Sequence, residues 1–535
     1  MKSFRNVAVL LVAVAMACGF AFPGSHPMTN SKGGLPTIRW SDEGVEDVTL
    51  DPPAINQGSA ALAVQEMIFN GLVGLNSHLQ VVPDGASSWT VSRDHRVYTF
   101  HVRRGLRFGD GSPVTAYDFA WSLNRAFEPR FLDGNTDYYL GHIVGGLDVT
   151  NGRAQTVRGI RVLNKHTLRI TTDVPTAAFL DQLTYEGASV VPRHAIERYG
   201  SAWTNHAYGT GPFVVSGIVP GQYIDLSPNR YYWCGRPKVK IQVDLIPDVD
   251  VAYSDYMHHL VDVMGGQEFP ADRVAQVRTR HDVHSSPQLV TEYVLPNERQ
   301  KPFDNSYVRR AFALAFDRSA LVRVVFDGDR YPAHGILPPG LPGYDPQLKG
   351  QRFDPALAQR YLAQAGYKDG KGFPEIALTI DASATYGAAE AAFLTHAWKK
   401  YLDVEVTVHT LDHAEYDSAL TALNFQLAFV RWTDDYPDPQ NFLSIQLQTG
   451  ATDNIGGFSS HQFDALTSRA DSLFGNNRLR YGLYRSAEAI ALKQAAWIVI
   501  DWGKTVCLIN RKIHGLLVND LSIVAPNWAA VTESK

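Results

Sequence analysis

Residues 431–439 form the stretch of the sequence that is richest in groups suited to chemistry, and they read Arg-Trp-Thr-Asp-Asp-Tyr-Pro-Asp-Pro. They concentrate three carboxylates, two aromatic rings and two prolines in nine residues. Because Pro437 and Pro439 lack backbone donors and fix φ, we expect a stiff loop there rather than a continuous helix or a central strand. Carboxylates beside aromatic rings are suited to hold a cation, whereas an isolated acidic turn is more often a solvated loop. On this stretch alone, both interpretations stay open.

The other groups suited to chemistry are more weakly patterned. Three close histidine pairs occur, none with cysteine or carboxylate partners at a metal-binding spacing: His258 with His259, His281 with His284, and His409 with His413. The sequence also lacks the motifs of serine hydrolases, zinc hydrolases and phosphate-binding loops. We therefore predict no catalytic residue, no metal site and no cofactor. A pair of glycosidase-like carboxylates stays open, because any two carboxylates can meet in a fold.

The elements that must position the acidic loop can be predicted from hydrophobic periodicity. An apolar run at 425–430 predicts a buried strand that leads into the loop. From about residue 300 onward, predicted strands at 376–380 and 404–408 alternate with predicted helices at 357–365 and 388–400. This alternation is typical of an α/β lobe.

The N-terminal half shows a different order of elements. Spacing predicts a helix at 60–69 that ends at a glycine, and a half-buried strand at 98–103. Thr115 is the expected N-cap of a further helix that ends near residue 127.

The length and the net charge of the chain limit the classes of protein to which it can belong. A chain of 535 residues is too long for one ordinary core, so two or three lobes are expected. Its 49 basic and 54 acidic residues give a formal charge of −5. This charge offers no electrostatic case for nucleic acid as a partner.

The N-terminus predicts export. Lys2 and Arg5 precede an apolar run at 7–17, which is typical of a secretory signal and too short to span a bilayer. Cys18 lies in a sequence that is similar to a bacterial lipobox, so we expect it to carry a lipid that holds the protein at a membrane surface. Cleavage after Ala21 would instead release a soluble protein. No later stretch is apolar for long enough to cross a bilayer.

The oxidation state of the two further cysteines, Cys234 and Cys507, is not determined by the sequence. Both can be inert thiols of a core, or they can form a disulfide in an exported protein. The sequence leaves this choice open.

A series of short motifs runs through the chain in a fixed order. The motifs are Leu-Asp-Pro at 50–52, Asn-Gly-Leu at 70–72, Pro-Asp-Gly-Ala at 83–86, Gly-Asp-Gly-Ser-Pro-Val-Thr-Ala at 109–116, Gly-Thr-Gly-Pro-Phe at 209–213, Asn-Arg-Tyr-Tyr-Trp at 229–233 and Pro-Phe-Asp-Asn at 302–305. In this order they resemble the oligopeptide- and dipeptide-binding proteins of ABC importers, which form solute-binding protein family 5. The resemblance spans roughly residues 36–519.

The resemblance implies the architecture. It implies an α/β, bilobal fold like that of periplasmic binding proteins (cluster C type) with an additional inserted lobe. The expected parts are a signal peptide at 1–18 (or to 21), a tether at 19–35, lobe I at 36–56 with 187–291 and 506–535, an inserted lobe II at 57–186, and lobe III at 292–505. These names are kept below for these ranges.

The resemblance also implies the role of the acidic loop. In this family a Trp-x-x-Asp motif carries the aspartate that pairs with the α-amino group of the ligand, and Asp435 holds that position here. Asp434 is expected to add negative potential or to face solvent, and Trp432 to pack the pocket wall. Arg431 is expected to neutralise Asp434, or else to reach a ligand carboxylate.

Two other segments are expected at the ligand. The loop after the first strand, which contains Gly44 and Val45, pairs in this family with an extended ligand backbone. Tyr138 and Tyr139 lie in a part of lobe II that either faces the cleft or belongs to the core.

The implied function is that of a monomeric solute-binding protein in the periplasm or on the outer face of a bacterial cell membrane. It would close its lobes on a short peptide, with the chain crossing between lobes near residues 290 and 505, and deliver the peptide to a permease with its ATPase subunits. The alternative is the same fold with an oligosaccharide, an opine or a metal complex as ligand. A more distant alternative is an exported hydrolase.

Overall fold

A computed structural model of the chain describes residues 34–42, 49–54, 59–134, 136–265, 269, 271–519 and 523–534. The expected signal peptide, Cys18, and the loop residues Gly44 and Val45 lie outside these ranges. No helix in the described ranges is long and apolar enough to cross a bilayer.

The strands in the described ranges are short, apart from two long ones. They are β1 Thr37–Asp42, β2 Val73–Leu75, β3 Val81–Pro83, β4 Ala86–Val91, β5 Val97–Val102, β6 Ile160–Asn164, β7 Thr167–Thr171, β8 Phe213–Val219, β9 Tyr223–Pro228, β10 Lys240–Leu245, β11 Val263–Met264, β12 Val283–Pro296, β13 Tyr331–Pro332, β14 Ile376–Asp381, β15 Val406–Leu411, β16 Leu427–Thr433, β17 Ile498–Ile509, β18 Ile513–His514, β19 Leu517–Val518, β20 Ile523–Val524 and β21 Thr532–Glu533.

The helices are concentrated after residue 300. They are α1 Ser59–Ile68, α2 Ala116–Ala126, α3 Thr136–Leu140, α4 Gly146–Thr150, α5 Phe179–Gln182, α6 Arg193–Tyr199, α7 Val249–Met257, α8 Ala271–Val277, α9 Ser306–Leu314, α10 Arg318–Val325, α11 Pro355–Gln364, α12 Gly387–Leu402, α13 His413–Thr421, α14 Pro439–Phe442, α15 Ser444–Leu447, α16 His461–Asp471 and α17 Asn477–Gln494. Short 3-10 turns also occur at Pro52–Ala54, Pro129–Gly134, Glu186–Ala188, Gly200–His206, Lys368–Gly370 and Trp528–Ala530.

One mixed sheet runs through two of the lobes. Its order is β15-β14-β16-β12-β17-β11-β1-β10-β9-β8, with β13 paired to β17. The strand β14 is parallel to β15 and β16, and β1 is parallel to β10 and β11, while β12 and β17 are antiparallel to each other. Lobe II has a separate sheet of order β4-β5-β7-β6. The predicted α/β class is confirmed.

Most predicted elements lie close to the observed ones. The strand predicted at 425–430 is β16, and it continues to Thr433, three residues into the acidic stretch. Thr115 caps α2 in a capping box with Asp118, as its sequence position predicts. The predicted loop is confined to 434–438, because Pro439 occupies the first turn of α14, where a missing donor costs nothing.

Several family motifs turn out to hold lobes together. The Asp84 carboxylate accepts a hydrogen bond from the Asn70 side chain at 2.8 Å and one from the Trp233 indole at 3.2 Å. Three motifs far apart in sequence thus meet at one buried carboxylate.

The two cysteines that the sequence left undecided are separate. Cys234 is an exposed free thiol, whereas Cys507 lies buried in the core of lobe I. No disulfide joins Cys234 to Cys507.

The hydrophobic cores follow the lobes expected from the resemblance. One core draws its residues from 72–190, with a single addition, Tyr436. A second joins Ile38 to Val531 through residues of the middle segment, and two more lie within 289–502. These cores support the lobe boundaries, which stay a prediction.

Two long strands connect lobes I and III. Residues 283–287 of β12 pair with 504–508 of β17, and residues 291–294 pair with 498–502 of the same strand. The register shifts between Pro287 and Thr291, where proline interrupts the ladder. An irregular pair of strands of this kind is a natural place for a hinge.

Lobes II and III touch across the cleft. The Ala177 N–H donates to the Asp471 carbonyl at 2.7 Å, and the His95 ring stacks on Phe474 with 3.9 Å between ring centres. The Gln182 side chain donates to Gln440 at 3.0 Å. The structure is therefore closed on this side.

A buried ion pair fixes the end of the acidic loop. Arg480 of α17 donates two hydrogen bonds to Asp438, at 2.5 and 2.7 Å, and both side chains are almost fully buried. Asp438 also caps α14 by accepting from the Gln440 N–H at 2.9 Å. The loop is thus anchored to lobe III at its C-terminal end.

We predict that Arg480→Met destabilises the protein by about 3–5 kcal/mol, because it leaves the Asp438 carboxylate buried without its charge partner. The matched control is Arg478→Met, an exposed position on the same helix, which should change the free energy of unfolding by at most about 0.5 kcal/mol. Urea unfolding followed by circular dichroism measures both. Equal effects of the two substitutions would contradict the anchoring role of the buried pair.

Candidate ligand-binding site

The acidic loop lies at the boundary between lobes II and III. It leaves β16 at Asp434, whose N–H donates to the Leu289 carbonyl at 2.9 Å, so the backbone is still held by β12. Two residues later, Tyr436 is fully buried in the core of lobe II. The loop therefore starts on lobe III and inserts an aromatic ring into lobe II, which fixes Asp435 between the two.

The Asp435 carboxylate accepts hydrogen bonds from neutral groups alone. The Tyr139 hydroxyl of lobe II donates to it at 2.5 Å, and the Asn441 side-chain amide of α14 donates at 3.2 Å. The Asp435 N–H in turn donates to the Asn441 side-chain oxygen at 3.3 Å. Burial raises the pKa of Asp435 to about 6, although both side-chain hydrogen bonds oppose the shift. This partly buried carboxylate can therefore ionise near neutral pH and accept a cation.

The Asp434 carboxylate is the most isolated group of the site. Its side chain is 7% exposed, and neither carboxylate oxygen accepts a hydrogen bond. Burial raises its pKa well above the usual range, and repulsion from Asp435, Asp438 and Asp181 adds to the shift. A buried carboxyl without donors is costly in its charged form, so Asp434 makes this region receptive to positive charge.

The aromatic residues expected at the site converge on it. Tyr139 is almost fully buried and reaches Asp435, and the Tyr138 hydroxyl donates to the Ile445 carbonyl of lobe III at 3.2 Å. The partly buried Trp432 donates through its indole N–H to Asn441 at 3.0 Å. Both tyrosines thus connect lobe II to lobe III.

One sequence expectation about the loop is wrong. Arg431 does not neutralise Asp434, since it donates to the Gln288 side chain at 3.1 Å and lies 3.7 Å from the Glu292 carboxylate. The reason is strand geometry. Arg431 is the cross-strand partner of Glu292 on β12, and such partners share a face of the sheet. Asp434, three positions further on, leaves the strand toward the opposite side.

One site residue, Asn441, and two carboxyl groups, Glu186 and Glu66, were missed in the sequence. Asn441 orients both Asp435 and Trp432, and it stands six residues after Asp435, on a short helix that the acidic stretch did not reveal. Glu186 and Glu66 lie far from Asp435 in sequence, yet burial raises the pKa of Glu186 and the charges of Glu66 and Asp435 add to the shift. No local pattern marks these glutamates, since only the tertiary fold brings them together.

The histidine pairs do not form a metal cluster within the described ranges. The single group of three potential ligands found there is Glu292, Glu390 and Asp501, with carboxylate oxygens within 4.8 Å of one another. The Arg330 guanidinium lies 3.3 Å from Glu292 and 3.6 Å from Asp501. A buried arginine among the carboxylates supplies the positive charge that an ion would otherwise bring.

We predict that Asp434→Asn stabilises the unliganded protein by about 1–3 kcal/mol at pH 8, because the amide cannot ionise and so neither holds a proton against the pH nor buries a charge. The folded-state pKa of Asp434 lies above its ordinary value of 3.8. The folded state therefore keeps a proton that the unfolded chain releases, and stability falls as the pH rises above about 4. The gain from the amide should accordingly shrink at pH 4.

Urea unfolding of wild type and variant at the two pH values measures this difference. The control is Asp417→Asn, whose side chain is 60% exposed and which should show little gain at either pH. A loss of stability in Asp434→Asn at pH 8 would mean that the carboxylate has a partner in solution.

Comparison with known proteins places this geometry in a family. The model for bacterial extracellular solute-binding proteins, family 5 Middle, matches residues 80–454. Among curated relatives, the probable deoxycholate-binding periplasmic protein YgiS of Escherichia coli is 29% identical over 525 residues, with 96% of each chain covered. The periplasmic oligopeptide-binding protein OppA of Escherichia coli is 27% identical over 527 residues, also with 96% of each chain covered.

Solved structures agree. The periplasmic oligopeptide-binding protein OppAIV of Borrelia burgdorferi is 26% identical and superimposes with a TM-score of 0.78, covering 94% of this chain and 100% of its own. The murein tripeptide-binding protein MppA of Escherichia coli is 25% identical with a TM-score of 0.78, covering 94% and 99%. The bilobal fold and the resemblance read from the motifs are confirmed. The chain belongs to the family of bacterial extracellular solute-binding proteins, family 5.

Proposed function

We propose that this protein is the solute-binding component of an ABC importer and that it captures short peptides by their free amino group. The observation that carries the proposal is the Asp435 carboxylate, which is enclosed between lobes II and III and held by neutral donors alone. An ammonium group would supply the missing positive charge, and a charge-assisted hydrogen bond in an enclosed site is stronger than one in water. Relatives named as oligopeptide- and murein peptide-binding proteins support a peptide ligand.

The ligand would act as a bridge that stabilises the closed form. Asp435 belongs to lobe III and Tyr139 to lobe II, and their contact exists only when the lobes meet. A ligand that contacts both lobes binds the closed form more tightly and shifts the equilibrium toward it. The loop of Gly44 and Val45 is proposed to pair with the ligand backbone, in the manner of an added strand.

Further parts of the proposal concern the setting of the protein. We propose that the closed form docks on a permease whose ATPase subunits supply the energy, and that the protein is monomeric and non-catalytic. A lipid on Cys18 would hold it at the outer face of the membrane.

A second ligand class is raised by one relative, which is named a probable deoxycholate-binding protein. A bile acid carries a carboxylate. The carboxylates around Asp435 would repel this charge, and lysines or arginines do not appear among the described groups that stabilise the charged form of Asp435. The electrostatics of the site therefore favour an amine over a bile acid.

We predict that Asp435→Asn weakens the binding of a free tripeptide by about ten- to a hundredfold, the worth of one charge-assisted hydrogen bond. N-acetylation of the tripeptide should weaken binding to wild type by a similar factor, and it should have little further effect on the variant. Isothermal titration calorimetry measures the four combinations, with Asp417→Asn as a control outside the cleft. Independent, additive losses would show that Asp435 does not contact the amino group.

The same experiment across pH gives a separate prediction. Peptide affinity should fall as the pH drops below about 6 and level off about ten- to a hundredfold lower, because the Asp435 carboxyl, whose pKa is about 6, becomes protonated and loses its charge. Affinity should also fall above about pH 8, where the peptide amino group loses its proton. Asp435→Asn should remove the acid limb and keep the alkaline one. Deoxycholate, added as competitor, should not displace the peptide.

A further inference from the structure

A groove on lobe III is lined by residues that take no part in the candidate peptide site. It encloses about 380 Å³ and lies between the C-terminal turns of α9 and α17, helix α11 and the segment 348–351. A volume of this size falls within the range of small-molecule sites in proteins, about 300–1,000 Å³. The lining is apolar with basic side chains, so it differs in chemistry from the acidic loop.

The apolar part of the groove lies where two cores of lobe III meet. Ala313 and Ala495 belong to one core and Leu314 packs against it, whereas Leu492 belongs to the other core and Leu348 packs against that one. Leu314 and Leu348 are only half-buried, although both line the groove. Apolar surface that a fold leaves uncovered in a concave place is suited to an apolar ligand.

The segment 348–351 is held against the body of lobe III, so the groove is a preformed feature. The Gln351 side-chain amide donates to the Trp497 carbonyl at 2.6 Å. Gly350 lies so close to His334 that an added Cβ would be 1.7 Å from the His334 carbonyl oxygen. Because the ligand does not have to order this segment, binding avoids that entropic cost.

The charged residues that line the groove are all basic. They are Arg310, Lys349 and Lys493, and none of the three lies within ion-pair distance of a carboxylate in the part of the chain that the structure describes. The Arg310 guanidinium is held in place, since it donates to the Tyr361 hydroxyl and lies 3.8 Å from the centre of the Tyr361 ring. Lys349 and Lys493 are exposed. The groove is therefore complementary to a negative charge.

We propose that this groove is a second binding site, which takes a single-chain amphiphilic carboxylate such as a fatty-acid anion. The alkyl chain would cover the leucines of the groove, and the carboxylate would lie among Arg310, Lys349 and Lys493. An arginine presents parallel donors that match the two oxygens of a carboxylate. This site is separate from the cleft, so the inference does not depend on the proposed capture of peptides.

The chemistry of the lining favours this ligand class over others. A cationic amphiphile would be repelled by three basic side chains. A small inorganic anion would gain from the charge but leave the leucine surface in water. An uncharged alkyl chain would gain from the leucines but leave the positive charge without a counterpart.

The competing interpretation is a hydrated groove flanked by ordinary surface lysines. Lys493 stands in the last turn of α17, where a basic residue complements the helix dipole whether or not a ligand binds. A hydrated groove would not distinguish alkyl chains by their length or amphiphiles by their charge. Chain length and head-group charge therefore separate the two interpretations.

The test is isothermal titration calorimetry on the full-length protein with decanoate, octanoate, decan-1-ol and decyltrimethylammonium, each kept below the concentration at which it aggregates. We expect one decanoate per chain, bound about tenfold tighter than octanoate, because each buried methylene strengthens binding about fourfold. Decan-1-ol should bind about tenfold more weakly than decanoate, since it lacks the charge. Decyltrimethylammonium should bind more weakly still.

A first pair of variants locates the alkyl chain. Ala489 is an exposed residue of α17 that lines the groove, so Ala489→Trp should fill the space and weaken decanoate binding at least about tenfold. The matched control is Ala363→Trp, at an exposed position of α11 outside the lining, which should leave decanoate binding unchanged. Substitutions at exposed positions of this kind have little effect on folding.

A second pair locates the carboxylate. Lys349→Gln combined with Lys493→Gln should weaken decanoate binding about three- to tenfold and leave decan-1-ol binding unchanged. The control is Lys368→Gln combined with Lys371→Gln, two exposed lysines of the same lobe outside the lining. The charge-dependent part of the affinity should also weaken as salt is added.

Absence of saturable decanoate binding to wild type would overturn the inference, and so would equal binding of decanoate and decyltrimethylammonium. Undiminished decanoate binding to Ala489→Trp would overturn it as well, because the chain would then lie elsewhere. Titration of Ala-Ala-Ala in the presence of decanoate completes the test. Unchanged peptide affinity supports two separate sites, whereas competition would place decanoate in the peptide cleft and overturn the second site.

Discussion

The candidate site depends on an imbalance of charge within one five-residue loop. Of the three aspartates in 434–438, only Asp438 has a buried cationic partner, Arg480, and that pair anchors the loop to lobe III. Asp435 has neutral donors, and Asp434 has none. Because one carboxylate is fully compensated, the loop can be rigid. Because the other two are not, it can attract positive charge.

This arrangement connects stability with conformational change. Buried carboxyl groups without counter-charge destabilise the closed form, while Tyr436 in the core of lobe II and the lobe II to lobe III contacts stabilise it. Under the proposed function, these carboxyl groups would oppose closure in the absence of ligand. A cationic ligand would remove that opposition, so closure would depend on the charge of the ligand. The paired strands β12 and β17, with their irregular register, supply the joint about which such a motion can occur.

The fold class could be predicted from the sequence because its hydrophobic periodicity was strong. The helices and strands that this periodicity favoured locally are also the ones that pack in the folded protein. The strand before the loop, the capping box at Thr115 and the alternation after residue 300 are local features, and each is confirmed. Asp435 was singled out through a motif, not through physics, since a three-carboxylate turn alone does not say which of its members meets a ligand. The structure adds a reason for that choice, because Asp435 is the member that lobe II contacts through Tyr139.

The other features of the site could not be predicted from the sequence, and the physical reasons can be identified. The error at Arg431 arose because nearness along the chain was preferred to the cross-strand neighbour Glu292, which is 139 positions away. Glu66 and Glu186 show no pattern at all, and only the fold brings their charges close enough to interact. Long-range electrostatics of this kind is a property of the assembled lobes, so it appears only in the folded protein.

The central claim is that the cleft captures peptides by a free amino group placed against Asp435. Native mass spectrometry of the protein purified gently from its own host, with sequencing of the released small molecules, tests this claim most directly. We predict short peptides with free amino termini. Recovery of neutral sugars, bile acids or N-blocked peptides in their place would contradict the account.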